Sequence, residues 1–370
     1  MMGMEKHQYY ILNVLRGMSA LFVLFYHFFV FFFAYPVTSA GLLQIEPVYL
    51  AEPFYLQALK DCPINLGHLG VAFFFVMSGF LIQPTLERYS LFKAYVIHKI
   101  FRLWPTYIVC FSTGLLFVFV FCVLREMSFP YTWGHLLSCF FWVRDVFHYA
   151  LIDGSVWSLE VQVKFYLFAG IVWHLGKKNF LEKMCFLTVI VSLIAFAFSN
   201  FSEGEDYSWF YLVSLMLKTL KYFMLILLGT CIYFLYKKQI SGLKAIGLCG
   251  MLLVCFLSPL FYSPDFAKTL SYLLGFFTFS YVVFFPPQNL KSRKFFSPFI
   301  NWVSQISYPV YVGHVLPGYV LMYLAVGYGF NIYLAIIVVL LYVFLMADLV
   351  HKKIEVLFIK KGNQIISSVA

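Results

Sequence analysis

Arg16 and His27 lie eleven residues apart in the first long apolar stretch of the chain, and both side chains can take part in chemistry. Eleven residues at about 100° each make roughly three helical turns, so the two side chains share one face, ~16 Å apart along the axis. His27 then lies about halfway across an apolar layer about 30 Å thick. An imidazole there can act as a general base or as a nucleophile. A packing histidine, with Arg16 marking the membrane boundary, is an equally open interpretation.

A basic segment at residues 98–107 carries a second set of candidates. Lys99 and Arg102 are three residues apart, so on a helix they share a face. Such a pair can hold the phosphates of an anionic cytoplasmic cofactor, and Trp104 can stack on its base. The alternatives are a positively charged membrane anchor for the two basic residues and an interfacial anchor for Trp104.

Charged side chains also fall within predicted membrane helices. Glu160 and Lys164 are an i, i+4 pair in the favourable order. This spacing indicates either an ion pair that neutralises itself inside the bundle or a polar lining for a substrate cavity. Asp348 is a further acid in the last predicted helix, without an obvious local partner.

Tyr308, Tyr311 and His314 repeat every three residues and can form one stripe on a helix. Aromatic packing is one interpretation of the stripe, and a second buried histidine that faces His27 is the other. The chain contains no H-x-x-x-H or H-E-x-x-H motif, so no metal site is predicted.

The composition indicates an integral membrane protein. Of the 370 residues, 62% are hydrophobic and only 11% are charged, with a mean hydropathy of +0.86. Soluble globular domains do not have this composition. The net charge of +10 comes from basic residues in short loops between apolar stretches, so topology explains it and nucleic-acid binding is not expected. The eight cysteines form no C-x-x-C pair and are interpreted as small apolar residues of the membrane helices.

The apolar pattern predicts an all-α polytopic fold in a single domain, residues 1–370, without an appended soluble domain. Ten transmembrane helices are predicted, at residues 10–34, 68–86, 101–124, 156–176, 182–200, 211–236, 242–261, 267–286, 302–325 and 330–355. Residues 125–155 are predicted as an amphipathic loop. With the N-terminus in the cytoplasm, nineteen of the 26 Lys and Arg residues fall on the cytoplasmic side. This excess predicts that both termini are cytoplasmic.

In this order, the motifs resemble those of the membrane acyltransferase-3 family. That family's pattern is an R-G…H first span, a G-V-x-x-F-F-x-x-S-G-F second span, an R-x-x-R-x-x-P-x-Y turn, a W-S-L-x-x-E-x-x-F-Y span and a late S-Y-x-x-Y-x-x-H. The chain matches it with Arg16-Gly17 and His27, Gly70 to Phe80, Arg102, Pro105 and Tyr107, Trp157 to Leu159, Phe165 and Tyr166, and Ser307, Tyr308, Tyr311 and His314. The resemblance covers about residues 10–315.

The chain departs from the family pattern at two positions. Lys99 replaces the first arginine of the basic turn, which keeps the charge but loses the bidentate fork. Gln162 stands where the family has a glutamate, and an amide cannot take up a proton. Either this position only hydrogen-bonds the substrate, or Glu160 has taken over, or the activity is altered.

The resemblance implies a multi-pass enzyme of the bacterial cytoplasmic (inner) membrane that transfers an acyl group, usually acetyl, from cytoplasmic acetyl-CoA. The implied acceptor is a hydroxyl of an extracytoplasmic carbohydrate or lipid-linked glycan, such as lipopolysaccharide O-antigen. Acyl-CoA, the glycan and membrane lipids are the expected partners, with no metal and no nucleic acid. In this interpretation Lys99, Arg102 and Trp104 hold the coenzyme, and His27 with Arg16 carries out catalysis. The expected substrate-orienting residues are Glu160, Gln162, Tyr308, Tyr311 and His314.

His27 would either deprotonate the acceptor hydroxyl or be acylated transiently. Two other classes of protein fit the composition. A transporter or flippase of a carbohydrate or lipid-linked intermediate would also use many spans and intramembrane charge. A membrane scaffold would not need His27, the basic segment and His314 together.

Overall fold

The computed structural model describes residues 6–201, 207–257, 266–286 and 298–369, and all regular structure in these ranges is helical. The α-helices, in chain order, are α1 Lys6–Phe25, α2 Phe32–Ala34, α3 Pro36–Leu43, α4 Leu56–Asp61, α5 Leu66–Phe80, α6 Ile82–Arg88, α7 Phe92–Leu124, α8 Trp133–Phe140, α9 Val156–Leu175, α10 Phe180–Phe201, α11 Tyr207–Tyr236, α12 Gly242–Leu257, α13 Phe266–Phe284, α14 Pro298–Gly313, α15 Val315–Gly327, α16 Ile332–Val350 and α17 Val356–Val369. Two π-helical segments, Tyr26–Phe31 and His351–Glu355, follow α1 and α16. The predicted all-α fold class is confirmed for this part of the chain.

Several of these helices are long and apolar enough to cross a membrane. Six helices within the described ranges meet this condition, and a seventh span results if the bent pair α14 and α15 counts as one. The chain therefore has the helices of a multi-pass membrane protein. The count of ten helices and the cytoplasmic position of both termini stay predictions, and the basic residues 291–294 lie outside the described residues.

The basic segment is part of a long helix. The third membrane helix was predicted to begin at residue 101, but α7 begins at Phe92 and runs for 33 residues, with Pro105 inside it. Lys99 and Arg102 therefore project from the N-terminal third of α7. The loop predicted at residues 125–155 contains the short helix α8, and the Thr132 side chain caps it by accepting a hydrogen bond from the His135 N–H.

The membrane helix predicted at residues 302–325 is broken in the structure, because α14 and α15 are bent by 67° at His314. The sequence around the bend supplies the reason. Pro317 has no N–H, and its ring clashes with the carbonyl of the residue four positions earlier, which is Gly313. At Gly313 itself an added Cβ would lie 2.4 Å from the Met346 methyl carbon, so a side chain there would displace the end of Met346.

The chain divides into two compact units, each described by itself. The first comprises Met1–Leu12, Val71–Val96 and Val161–Phe295, and the second comprises Asn13–Gly70, Ile97–Glu160 and Phe296–Ala370.

Close contact between α5 and α11 stabilises the first unit. A Cβ at Gly79 would lie 1.7 Å from the Ile226 carbonyl oxygen, and one at Gly229 would lie 2.0 Å from the Val76 carbonyl oxygen. The Thr230 hydroxyl donates to the Gly79 carbonyl at 3.0 Å. Small residues at helix contacts are typical of membrane bundles, since they bring backbones together and allow hydrogen bonds between helices.

The second unit carries most of the candidate functional residues. Its helix α1 approaches α14 at Gly17, where an added Cβ would lie 3.2 Å from the Ile300 carbonyl oxygen and 3.3 Å from the Ser304 nitrogen. One turn further along α14, the Tyr308 hydroxyl donates to the Leu103 carbonyl of α7 at 2.8 Å. Helix α14 thus contacts α1 and α7 on successive turns.

Candidate active site

His27 lies in the π-helical turn Tyr26–Phe31, which interrupts the first membrane helix. Such turns inside α-helices frequently occur at functional sites. The His27 side chain is half-buried, and its Nδ1 lies 3.1 Å from the Tyr319 hydroxyl oxygen. The same hydroxyl can donate to the His27 carbonyl at 3.4 Å. When the Tyr319 hydroxyl donates to this carbonyl, the His27 Nδ1–H donates to the Tyr319 oxygen. The Nε2 lone pair of His27 can then accept a proton or attack a carbonyl carbon.

His314 occupies the bend between α14 and α15 and faces His27. The two ring centroids are 5.0 Å apart, with the rings inclined at 72°. His314 Nδ1 lies 3.1 Å and 3.0 Å from the carbonyl oxygens of Val310 and Tyr311, so it must carry the hydrogen. Its Nε2 is buried and has no hydrogen-bond partner among the described residues. Of the two interpretations of the stripe, the structure therefore confirms the geometry of the second, a buried histidine that faces His27.

Aromatic rings enclose the two imidazoles. Phe28 packs edge-on against His314 at 5.8 Å, and Phe31 stacks on Tyr319 at 6.5 Å with 9° between the rings. A Cβ at Gly318 would lie 2.5 Å from the Phe28 ring, so this glycine leaves the space that Phe28 fills. The surroundings are apolar, which strengthens the electrostatic interactions of any charge that develops on the imidazoles.

A second group of hydroxyls lies beside this pair. Tyr311 Oη and Ser158 Oγ are 2.5 Å apart, which links α14 to the first turn of α9. Tyr311 and His314 are also in ring contact, with centroids 6.3 Å apart. The Ser158 hydroxyl donates to the Ser155 carbonyl at 3.4 Å. The chain of groups therefore runs from His27 through His314 and Tyr311 to the start of α9.

The turn before α9 reaches His27 directly, and the sequence analysis did not identify it. Asp153 Oδ1 accepts hydrogen bonds from the Ser155 N–H at 2.8 Å and from the Ser155 hydroxyl at 2.6 Å. At Gly154, an added Cβ would lie 3.8 Å from His27 Cε1. Burial raises the pKa of Asp153 to about 6, and the hydrogen bonds from Ser155 oppose this rise. The Asp-Gly-Ser sequence before a helix is the signal that predicts such a turn.

Glu160 forms a buried salt bridge with Arg144. Arg144 Nη2 lies 2.8 Å from Glu160 Oε2, with 14% and 2% of the two side chains exposed. Arg144 Nη1 also donates to the Tyr149 carbonyl at 3.2 Å. The i, i+4 spacing with Lys164 did not reveal this partner, because Arg144 comes from the loop before α9. Gln162 is half-buried and lies about 200° further round α9, in the first unit.

The basic residues predicted to hold the coenzyme lie near one end of the second unit. Lys99, Arg102 and Arg16 are all half-buried. Gly17, next to Arg16, packs on Ser304 of α14, and Leu103, next to Arg102, is bonded to Tyr308 one turn away. Gly17 and Leu103, the sequence neighbours of Arg16 and Arg102, therefore contact successive turns of α14.

Trp104 packs α7 on α8 in this structure. Its Nε1 donates to the Phe140 carbonyl at 3.0 Å, and its ring stacks on Phe141 with centroids 6.0 Å apart. Stacking on a coenzyme base stays a prediction, and it would require Trp104 to leave these contacts.

Asp348 has local partners that the sequence analysis did not identify. Its Oδ1 accepts from Trp302 Nε1 at 2.8 Å, and its Oδ2 lies 2.6 Å from Lys352 Nζ. The hydrogen bond from Trp302 to Asp348 therefore helps to pack α16 on α14. Within the described ranges, no group of three or more His, Cys, Asp or Glu residues could hold a metal ion.

Comparisons with known proteins identify the family of this chain. A model of the acyltransferase-3 family, described as "Acyltransferase domain", matches residues 9–348. The chain is also similar to "Putative acetyltransferase ORF330" of Acidianus two-tailed virus, with 25% identity over 330 aligned residues that cover 82% of this chain and 81% of the relative. No solved structure matches the chain. The family match favours a transferase over a transporter or a scaffold. The chain therefore belongs to the acyltransferase-3 family and is a membrane acyltransferase.

Proposed function

We propose that the protein transfers an acetyl group from acetyl-CoA to a hydroxyl of a carbohydrate on the opposite side of the membrane, at a centre formed by His27 and His314. The observation that carries this proposal is the pair of facing imidazoles, 5.0 Å apart, of which His314 has a buried Nε2 without a hydrogen-bond partner among the described residues. Acyl transfer to a hydroxyl needs a group that accepts the hydroxyl proton, and a neutral imidazole does this near neutral pH.

The basic end of the second unit supports acetyl-CoA as the donor. Lys99 and Arg102 share one face of α7, and Arg16 lies on α1, which contacts α14 at the next residue, Gly17. Three basic side chains suit the phosphates of coenzyme A, since charge-assisted bonds to phosphate are the strong ones. The thioester would extend from this end toward His27, ~16 Å beyond Arg16 along the helix axis. An acetyl donor is also in keeping with the name of the viral relative.

Two routes are compatible with this geometry. In the direct route, the acceptor oxygen attacks the thioester carbonyl carbon, its proton passes to an imidazole Nε2, and the carbon–sulfur bond breaks to release coenzyme A. In the two-step route, His27 Nε2 attacks first and coenzyme A leaves as the thiolate, which takes up a proton. The acceptor oxygen then attacks the acetyl-imidazole, the carbon–nitrogen bond breaks, and the hydroxyl proton passes to His314 Nε2.

The acceptor is proposed to be a surface carbohydrate such as lipopolysaccharide O-antigen, with the enzyme in a bacterial cytoplasmic membrane. Helix α7 is long enough to cross a membrane, because its 33 residues extend over about 50 Å and exceed an apolar layer of about 30 Å.

The test is the O-acetylation of surface glycan in cells that produce each variant, measured by mass spectrometry. His27→Gln keeps a polar side chain but cannot accept a proton, so we expect loss of O-acetyl groups. The matched control is His351→Gln, because His351 bonds Glu355 in the second π segment, away from the His27–His314 pair. Acetylation at the wild-type level in a normally expressed His27→Gln variant would contradict the proposal. Loss in the control as well would show that the effect is not specific to His27.

A further inference from the structure

An open pocket of about 560 Å³ lies in the second unit at the end remote from Lys99. Gln44, Glu46, Arg125 and Tyr323 are among the residues that line it. Pockets of a few hundred Å³ that combine apolar walls with a few polar groups are the usual form of small-molecule sites.

Helix α15 connects this pocket to the candidate active site. Tyr319 contacts His27, Tyr323 lines the pocket one turn later, and Gly327 lines it after a further turn. Four residues of an α-helix correspond to about 6 Å along the axis. Tyr323 is held in place, since its hydroxyl lies 2.8 Å from Ser39 Oγ. The pocket lining therefore begins about one helical turn beyond the residue that bonds His27.

Helix α7 separates the pocket from the predicted donor end. Arg102 and Arg125 are 23 residues apart, and Arg125 follows directly after the last residue of α7. At ~1.5 Å per residue this is about 35 Å, comparable to the thickness of a bilayer core. The two basic groups are consequently separated along one membrane-spanning helix by about the thickness of a bilayer core.

The lining has the chemistry of a site for a hydroxyl-rich ring. The amide of Gln44, the carboxylate of Glu46 and the guanidinium of Arg125 supply both donors and acceptors, as sugar hydroxyls require. Glu46 lines the same pocket as Arg125, and its negative charge disfavours an anion such as free phosphate. Tyr323 adds an aromatic surface that can cover the apolar face of a sugar ring.

The position of Arg125 at this site depends on a glycine. The Arg125 guanidinium lies over the Tyr328 ring, 5.7 Å from its centroid. A Cβ at Gly327 would lie 1.6 Å from Arg125 Nη2, so no other residue fits there without displacing the guanidinium. The contact with Tyr328 restricts a long side chain that would otherwise be mobile.

From these observations we infer that the pocket lined by Gln44, Glu46, Arg125 and Tyr323 binds the uncharged sugar residue that accepts the acyl group. This inference rests on the proposed function, because it assigns the acceptor end of the same transfer reaction.

The first experiment removes polar groups from the pocket. Arg125→Ala and Gln44→Ala are compared with the wild type for transfer of deuterated acetyl from acetyl-CoA to the host's isolated surface glycan, and for slow release of acetate without glycan. We expect each variant to lose about tenfold or more in transfer, with a raised KM for glycan and unchanged acetate release. The control is Lys60→Ala, which removes a basic residue whose exposed ion pair with Glu52 contributes little.

The second experiment fills the pocket. Val48 lines it and is 40% exposed, so Val48→Trp adds volume without requiring a change in the protein core. Val37→Trp is the matched control, because Val37 is 62% exposed and is not among the residues that line the pocket. Of these two variants, we expect only Val48→Trp to block transfer to glycan.

The outcomes separate the two proposals. If the wild type neither releases acetate nor transfers acetyl groups, the proposed function fails. If the wild type transfers acetyl groups and the Arg125→Ala, Gln44→Ala and Val48→Trp variants do so equally well, the function stands and the assignment of the pocket is overturned. If the Gln44→Ala and Val48→Trp variants lose acetate release as well as transfer, the assignment of the pocket is also overturned, because the pocket would then not act on the acceptor alone.

Discussion

The Nδ1 of His314 donates into the carbonyl oxygens of Val310 and Tyr311, at 3.1 Å and 3.0 Å, and thereby leaves its Nε2 lone pair in the site that also holds His27. Both acceptors belong to the last turn of α14, directly before the bend at His314. These two backbone carbonyls thus determine the tautomer of His314, which is the state that a general base requires.

His314→Asn separates proton acceptance by His314 from its role in packing. The asparagine amide can still donate to the α14 carbonyls, but it has no lone pair at the position of Nε2. We expect transfer to fall by about 10²- to 10⁴-fold, the usual contribution of a general base, with little change in Tm. The measurements are the initial rate of acetyl transfer and thermal unfolding in detergent. A variant that keeps the wild-type rate would show that His314 is only a packing residue.

Tyr319→Phe removes the hydroxyl that bonds His27 while the ring contacts with Phe31 and Phe28 remain. We expect kcat to fall about tenfold, with KM for acetyl-CoA unchanged, because the hydroxyl orients His27 and does not bind the donor. Tyr272→Phe is the control, since Tyr272 is a buried tyrosine of the first unit. Equal kcat in both variants and the wild type would show that the Tyr319 hydroxyl does not orient His27 for catalysis.

The salt bridge between Arg144 and Glu160 is predicted to act on stability. Arg144→Met or Glu160→Met leaves a buried charge without its partner, which costs about 3–5 kcal/mol. The double variant Arg144→Met/Glu160→Met removes both charges, so we expect it to be more stable than either single variant. Thermal unfolding of the four proteins measures this. Additive losses would mean that the two side chains are not coupled.

Asp153 is predicted to give the folded protein a pH dependence. Burial raises its pKa to about 6 from the ordinary value of 3.8, so the folded state binds more protons than the unfolded state between these values. The contribution of protonated Asp153 to the free energy of unfolding is fully present below about pH 4. It is lost as the pH rises to about 6, which lowers the free energy of unfolding by up to about 3 kcal/mol. Asp153→Asn, which cannot ionise, should lack this loss. Equal pH profiles of Tm for the wild type and Asp153→Asn would contradict the prediction.

Arg102→Ala tests the donor end. A charge-assisted bond to phosphate is lost, so we expect the KM for acetyl-CoA to rise about tenfold, with a smaller effect at high ionic strength. Lys93→Ala is the matched control, because Lys93 is exposed on the same helix. If KM is the same in all three proteins, acetyl-CoA does not bind through Arg102.

The features that were predictable from the sequence are those with a periodic signal. The three-residue repeat of Tyr308, Tyr311 and His314 predicted a stripe that includes a second histidine, and the structure brings that histidine to His27. The all-α class followed from long apolar stretches. Hydropathy does not detect a break between two apolar helices, so the bend at His314 was missed although Pro317 was visible in the sequence.

The features that the sequence analysis missed depend on tertiary contacts. Arg144 pairs with Glu160 across a loop, a contact that no spacing rule along one helix can reveal. Trp104 was interpreted from its residue type, whereas its N–H and its ring are used to pack α7 on α8. Asp153 carried a local turn signal, but only the folded structure brings its neighbour Gly154 close to His27.

The most direct test of the central claim is the rate at which purified protein in nanodiscs transfers deuterated acetyl from acetyl-CoA to isolated surface glycan, with and without the His27 imidazole. The account predicts that His27→Ala, folded with a Tm close to that of the wild type, loses transfer by about 100-fold or more. A folded His27→Ala variant that transfers acetyl at the wild-type rate would contradict the claim that His27 is at the reacting centre.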